Sequence, residues 1–149
     1  MIVVPIGGGS GAAGACVVAK AVRPSIKVIG VQSEAAPAAY RSWRAGALVE
    51  DTTSTFAEGL ATRTAFELPQ QIMRDRLDDF VLVSEATLRD ANRLMIEKTR
   101  NLVEPAGAAA LAAVLTDPAR FAGRNVALIC SGGNISPAQL AKLWPREPD

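Results

Sequence analysis

The sequence contains no histidine among its 149 residues. This chain therefore supplies no imidazole general base, no serine–histidine pair and no histidine metal ligand. It also has little net charge, because sixteen basic and fifteen acidic side chains leave a balance of +1. The basic residues form no stripe along the sequence, so we expect no nucleic-acid partner.

Long hydrophobic runs are absent as well. No run of eighteen uninterrupted apolar residues is present, so we expect no membrane span. The uncharged amino-terminal stretch does not fit a signal peptide, because no Lys or Arg precedes it and glycines interrupt it. Cysteine is scarce, and Cys16 and Cys130 both lie among apolar residues. We interpret them as buried free thiols of a cytoplasmic protein rather than a disulfide.

Apolar segments alternate with helical patterns along the chain. The predicted strands are continuously apolar, which is typical of parallel strands covered on both faces; they are Ile2–Ile6, Lys27–Gln32, Phe80–Val83 and Asn125–Cys130. The predicted helices are Ala12–Val22, Pro37–Ala45, Phe56–Arg76 with a break near Pro69, Ser84–Thr99, a helix with Pro105 in its first turn, and Pro137–Leu143. The pattern predicts a single α/β domain over residues 1–149, a parallel sheet with helices on both faces in three layers.

Two glycine-rich loops directly follow predicted strands. "GGGSG" occupies 7–11 after the first strand, and "SGGN" begins at Ser131 after the fourth. Because the carboxyl ends of parallel strands meet at one edge of a sheet, both loops belong where ligands bind in such folds. A glycine turn before a helix offers free backbone N–H groups and the positive end of the helix dipole. The first loop therefore predicts a phosphate site.

A dinucleotide site is one alternative for that phosphate. Gly9, Gly11 and Gly14 fit G-x-G-x-x-G after a strand, and Glu34 follows twenty residues beyond Gly14. This segment, taken alone, favours NAD binding. It leaves Gly7, Gly8 and the "SGGN" loop without a role.

Six segments together resemble one enzyme family. "VVPIGGGSGAAG", "KVIGVQSE", "FAEGLATR", "DDFVLVSE", "VEPAGAAALAA" and "VALICSGGN" occur in the order and spacing of the carboxyl-terminal half of the threonine/serine dehydratases. These are pyridoxal-phosphate enzymes with the fold of the tryptophan synthase β subunit, called fold type II. The resemblance runs from about Ile2 to about Asn134.

The resemblance implies a cofactor site. The loop that grips the phosphate of pyridoxal 5'-phosphate would be Gly7, Gly8, Gly9, Ser10 and Gly11. Ser131 would face the pyridine nitrogen, and Glu104 resembles a family residue near the pocket. The dehydratases usually have four glycines and a leucine in the first loop. Ser10 and Gly11 depart from that pattern; Ser10 could add a hydroxyl donor, and the departure weakens any statement about substrate.

The resemblance also implies that catalytic parts are missing. The Schiff-base lysine of the family lies in a Ser-Phe-Lys-x-Arg-like motif of the amino-terminal half. Lys20, Lys27, Lys98 and Lys142 are in no such setting, and we predict solvated charges for all four. Some relatives bind a metal after the second strand, but the matching positions, Gln32 and Ala38, supply no carboxylate. We therefore predict no metal and no catalytic residue in this chain.

The expected protein is thus half of a dehydratase. The parent reaction converts L-threonine or L-serine to a 2-oxoacid and ammonia, and we expect this chain alone to be inactive. The sequence starts directly before a predicted buried strand, and this favours the interpretation that it is a truncated form of a longer enzyme. The expected partners are an amino-acid substrate of the parent enzyme, together with further copies of the chain or a missing amino-terminal half. A non-catalytic partner pairing through small-residue stretches such as Ala106–Ala113 is a further alternative.

Overall fold

The protein is built on a parallel β-sheet, and its structure, a computed structural model, describes residues 1–144. The predicted domain of 1–149 is thus described except for 145–149. Within the described residues the sheet has four strands in the order β3-β2-β1-β4. These are β1 (Ile2–Pro5), β2 (Val28–Ser33), β3 (Asp79–Val83) and β4 (Ala127–Leu128). All pair in parallel.

Helices cover both faces of this sheet. They are α1 (Ser10–Val22), α2 (Ala38–Ala45), α3 (Glu67–Arg74), α4 (Glu85–Thr99), α5 (Ala109–Thr116), α6 (Pro118–Phe121) and α7 (Pro137–Leu143), with 3₁₀ turns at Glu58–Leu60 and Pro105–Ala108. Successive strand residues point to opposite faces, so Val4 packs with α1 and α3 while Val3 packs with α4 and α5. The predicted three-layer α/β fold is confirmed.

The β1–β4 pairing determines where the glycine loops lie. Ile2 pairs with Ala127 and Val3 with Leu128, and the Ile129 N–H donates to the Val3 carbonyl at 2.9 Å. The two strands run in the same direction, so the loops that follow them leave the same edge of the sheet side by side.

Several element boundaries differ from the sequence prediction. The segment predicted as a helix over Phe56–Arg76 is helical only at Glu58–Leu60 and Glu67–Arg74, and Pro69 lies in the first turn of α3 rather than at a break. An antiparallel bridge between Glu50 and Thr64 holds the intervening chain in a loop.

The fourth strand is also shorter than predicted. The strand predicted over Asn125–Cys130 pairs regularly only at Ala127–Leu128. Cys16 is buried as predicted, but Cys130 is exposed, so the prediction of a second buried thiol is wrong. The physical reason is that β4 is an edge strand, and its apolar flanks pack against β1 on one side only. No helix among residues 1–144 is long and apolar enough to cross a membrane.

Candidate functional site

A cavity of about 380 Å³ lies at the carboxyl edge of the sheet. The residues predicted to bind the cofactor all line it; they are Gly7, Gly8, Gly9, Ser10, Gly11 and Ser131. Gly59 and Leu60, from the 3₁₀ turn, complete one wall, and no charged side chain of residues 1–144 lines the cavity. Sequence reasoning assigned no role to these two residues, although "FAEGLATR" contains both.

The first loop needs glycine because the Gly59 backbone and the side chains of the α3 region lie against it. A Cβ on Gly7 would lie 2.1 Å from the carbonyl oxygen of Gly59, and one on Gly8 would lie 3.0 Å from the Phe66 ring. Gly9 has φ +90°, a conformation that other residues rarely adopt. Apart from Ser10, the loop therefore presents backbone rather than side chains to the cavity.

The backbone donors of this loop are free to bind a ligand. No described residue accepts a hydrogen bond from the N–H groups of residues 7–12, and the first backbone bond after them runs from Ala13 to the Gly9 carbonyl at 2.9 Å. The last three of these donors open the 13-residue helix α1, whose dipole adds positive potential. Convergent donors at a helix start suit a phosphate dianion.

Ser131 reaches the cavity from a loop that Glu104 holds in place. The Ser131 hydroxyl has no hydrogen-bond partner among the described residues. The Glu104 side chain accepts a hydrogen bond at Oε2 from the Asn134 N–H, at 3.0 Å. The backbone N–H of Glu104 donates to the Gly132 carbonyl at 3.2 Å. A Cβ on Gly132 would lie 2.1 Å from Glu104 Oε1, so this loop closes tightly over the carboxylate. Glu104 thus positions Ser131 rather than lining the cavity.

The lysines lie away from this cavity, but not all as solvated charges. Lys20 Nζ lies 2.6 Å from Asp78 Oδ2, and Lys27 Nζ lies 2.9 Å from Asp78 Oδ1. Lys20 also donates to the Ile26 carbonyl at 2.7 Å, and its side chain is only 21% exposed. The prediction of a solvated Lys20 is therefore wrong, because a carboxylate distant in sequence draws the ammonium group onto the protein surface. Lys98 and Lys142 are exposed as predicted.

Asp78 is the acceptor at the centre of this surface cluster. Burial alone would raise its pKa, but the bonds from Lys20, the Val28 N–H and Lys27 outweigh that effect and lower the pKa to about 2. Since α1 starts at the cavity and Lys20 lies near its other end, this charge cluster is remote from the glycine loop.

The positions matching a metal site carry a buried amide instead. Gln32 is fully buried; its Oε1 accepts from the Tyr40 N–H at 3.0 Å and its Nε2 donates to Thr62 Oγ1 at 3.5 Å. The first bond ties the end of β2 to α2, and the second ties it to the loop after the 3₁₀ turn Glu58–Leu60. Within residues 1–144 no group of three or more acidic or cysteine side chains is placed to hold a metal. The absence of a metal stays a prediction.

Comparison with known proteins decides the family. The family model described as "Pyridoxal-phosphate dependent enzyme" matches residues 1–132. The chain belongs to this family. The catabolic L-threonine dehydratase TdcB of Escherichia coli is 37% identical over 145 residues, which are 95% of this chain and 44% of that protein. The beta-hydroxyaspartate dehydratase of Paracoccus denitrificans is 34% identical over 90% of this chain and 42% of its own length.

Solved structures of the family share the fold. The crystal structure of T.th. threonine deaminase superposes with a TM-score of 0.86 at 40% identity, over 91% of this chain and 46% of that one. The chain thus spans somewhat less than half the length of the relatives it matches. The predicted likeness to the carboxyl-terminal half of a dehydratase is confirmed at the level of the family.

The cavity fits the phosphate end of the family cofactor. Its floor is glycine backbone that leaves no room for a Cβ at Gly7, its N–H groups have no acceptor among residues 1–144, and its opposite wall offers the Ser131 hydroxyl. The volume lies within the range of small-molecule sites. Glu34, which the dinucleotide alternative needs, is exposed and does not line this cavity.

Proposed function

We propose that this chain forms the carboxyl-terminal half of a cytoplasmic, pyridoxal-phosphate-dependent dehydratase of hydroxy amino acids. The parent reaction converts L-threonine to 2-oxobutyrate and ammonia, or L-serine to pyruvate and ammonia. The observation that carries the proposal is the single cavity that joins the glycine loop to Ser131. The names of the relatives support the substrate class, since two of them are dehydratases of threonine and of hydroxyaspartate.

The residues of this chain would hold the cofactor from two sides. The N–H groups of residues 7–12 bind the phosphate, and Ser10 adds a hydroxyl at the start of α1. Ser131 supplies a neutral hydroxyl toward the pyridine ring, and such a group does not enforce protonation of the ring nitrogen. The chemistry supplied by bound pyridoxal phosphate is electron withdrawal from the amino acid's α-carbon, which permits loss of the α-proton and then of the β-hydroxyl.

We propose further that the chain is inactive alone. No lysine lines the cavity, and Lys20, the lysine on α1, is bonded to Asp78 near the far end of that helix. The covalent attachment that the family uses therefore has no amine here. The part of the family fold that this chain does not span would supply it.

Equilibrium dialysis with pyridoxal phosphate tests the cofactor site. We expect saturable binding that inorganic phosphate displaces, accompanied by a change in Trp43 or Trp144 fluorescence. Ser10→Ala should weaken the affinity by about three- to tenfold, the net value of one hydrogen bond at an exposed position. Borohydride treatment of the bound form should give no specific lysine adduct. Absence of displacement by phosphate would contradict the assignment of the glycine loop.

An activity measurement tests the proposal that the chain is inactive alone. The purified chain with pyridoxal phosphate and threonine should release no 2-oxobutyrate above the rate of free cofactor. Turnover by the pure chain would refute the proposed half-enzyme. Titration of the same protein with NAD, with Glu34→Ala as the variant, tests the dinucleotide alternative; we expect no saturable binding.

A further inference from the structure

Helix α4 carries three polar or charged side chains on one side. They are Glu85, Arg89 and Asn92, whose spacings of four and three residues are those of neighbours on a helix face. At 1.5 Å per residue, Glu85 and Asn92 lie roughly 10 Å apart along the helix axis. The described residues that line the cofactor cavity all belong to other elements. Any effect of these three side chains on the cavity therefore passes through the segments that they contact.

Glu85 holds the segment that leads into one wall of the cavity. Its Oε2 accepts a hydrogen bond from the Phe56 N–H at 3.0 Å, and its Oε1 accepts one from the hydroxyl of Ser33, a fully buried residue at the end of β2. Arg89 lies over the Phe56 ring, with its guanidinium carbon 4.7 Å from the ring centroid. Two residues after Phe56 begins the 3₁₀ turn Glu58–Leu60, which forms that wall. The start of α4 thus fixes the chain that enters the wall.

Asn92 holds the segment behind the opposite wall. Its side chain is fully buried, and its Nδ2 donates to the Val103 carbonyl at 2.8 Å. The next residue, Glu104, holds the Ser131 loop by accepting from the Asn134 N–H and donating to the Gly132 carbonyl. The middle of α4 therefore fixes the residue that positions Ser131.

The two held segments meet beside the cavity. A Cβ on Gly59 would lie 2.7 Å from the Ala106 Cβ and 3.3 Å from Glu104 Oε1. This contact leaves no space for a methyl group, so a movement of either segment is transmitted to the other.

We propose that Glu85 and Asn92 are positioning residues for the cofactor site. Through Phe56 and Val103 they set the separation between the wall formed by Glu58–Leu60 and the wall that carries Ser131. Polar side chains bonded inside a packed interface specify one arrangement of the backbone, and both of these bonds fall on segments that flank the site. This proposal rests on the proposed cofactor function, and it adds two residues outside the cavity to those that determine affinity.

Two variants of Glu85 separate positioning from charge. Glu85→Ala removes both hydrogen bonds and should weaken the affinity of the chain for pyridoxal phosphate by about three- to tenfold in equilibrium dialysis. Loss of a negative charge by itself would strengthen the binding of an anionic cofactor, so the expected change has the opposite sign. Glu85→Gln keeps an acceptor for the Phe56 N–H and a donor for Ser33 Oγ, and should stay within about twofold of wild type.

Glu67→Ala is the matched control for Glu85→Ala. Glu67 is likewise an acidic residue in the first turn of a helix, and among the described residues its side chain bonds only Gln71 of the same helix, α3. The variant removes the same charge and the same favourable interaction with a helix dipole, without releasing another segment. It should change the affinity by less than about twofold.

Gln70→Leu is the matched control for Asn92→Leu. Gln70 is a buried amide that donates to the Ala39 carbonyl at 3.0 Å, and in both residues the amide oxygen has no partner among residues 1–144. Gln70 ties α3 to α2 and not to either wall. Asn92→Leu should weaken the affinity by about three- to tenfold, whereas Gln70→Leu should change it by less than about twofold.

Amide hydrogen exchange of the ligand-free chain measures the two walls directly. Glu85→Ala should speed exchange at Phe56 and Leu60, and Asn92→Leu should speed it at Glu104 and Asn134, because these four N–H groups are bonded in the folded chain. We expect an increase of at least about fivefold relative to the β2 amides of the same variant. Glu85 lies at the partly exposed start of α4, so Glu85→Ala is expected to fold and decides the outcome if Asn92→Leu does not.

The results separate this proposal from the proposed function. Unchanged exchange at the four amides, or an equal increase throughout β2, overturns the proposal, because the two residues would then contribute only to overall stability. An affinity that Glu85→Ala raises or leaves unchanged overturns it as well. Failure of the wild-type chain to bind pyridoxal phosphate, together with the expected exchange, refutes the proposed function and supports the positioning of the two segments.

Discussion

Replacing Asp78 with asparagine should destabilise the chain in a pH-dependent way. Asp78 accepts hydrogen bonds from two lysines and the Val28 N–H, and its pKa falls from the usual 3.8 to about 2 in the folded protein. At about 1.36 kcal/mol per pH unit, this difference corresponds to about 2.4 kcal/mol of folded-state stabilisation. Lys27 is 58% exposed and salt screens such pairs, so we expect about 1–1.5 kcal/mol at neutral pH.

The sign of the pH effect follows from the depressed pKa. Stabilisation by ionised Asp78 is fully present above pH 3.8, where both the folded and the unfolded states are ionised. It is lost as the pH falls from there through about 2. The difference in free energy of unfolding between wild type and Asp78→Asn should therefore be largest above pH 4 and shrink toward pH 2. Urea titrations across this range at low salt measure it.

A matched control is available on the surface. The side chain of Asp90 is 67% exposed and, among the described residues, pairs only with Arg93, at 3.3 Å, so Asp90→Asn should cost no more than about 0.5 kcal/mol. An Asp78→Asn cost that is constant between pH 6 and pH 2, or one equal to that of Asp90→Asn, would refute the reasoning.

Two further predictions concern the cavity. Gly7→Ala should lower the free energy of unfolding by about 1–3 kcal/mol, because its Cβ would meet the Gly59 carbonyl at 2.1 Å. It should also abolish the binding of pyridoxal phosphate that inorganic phosphate displaces. Gly14→Ala should instead stabilise α1 by up to about 1 kcal/mol in urea titrations, because no described residue outside the helix's own backbone lies within 4 Å of the new Cβ; equal effects of the two changes would contradict this account. Glu104→Ala should weaken cofactor affinity about five- to tenfold in dialysis by freeing the Asn134 N–H, whereas Glu104→Gln keeps an acceptor and should stay within about threefold. A Glu104→Gln variant as weak as Glu104→Ala would show that charge, not positioning, is what matters.

The sheet and its ligand edge were predictable because their signals are local. Buried parallel strands are mostly apolar, as in β2, where all six residues are buried and the two polar ones, Gln32 and Ser33, lie at its carboxyl end. A glycine loop that follows a strand and opens a helix can lie only at the carboxyl edge. Those two rules predict from the sequence alone that residues 7–11 and Ser131 lie at one edge of the sheet.

The errors arose where contacts between distant segments decide the conformation. The chain around Gly59 leaves the helix because it packs against Gly7 and Ala106, residues about 50 positions away on either side. Lys20 appeared solvated because its partner, Asp78, lies 58 residues further along. Cys130 appeared buried because its neighbours are apolar, and the sequence does not say that β4 has a free edge.

The pairing of β1 with β4 has a kinetic consequence. Ile2 and Ala127 are roughly 125 residues apart in sequence, against about 26 for the β1–β2 pair. Closing the longer loop costs about 4 kcal/mol of chain entropy and the shorter about 3 kcal/mol. During synthesis the glycine loop can thus assemble with β2 early, whereas Ser131 arrives only when nearly the whole chain has emerged. We therefore expect the opposite wall of the cavity to be among the last parts to form, and its assembly to limit the folding rate.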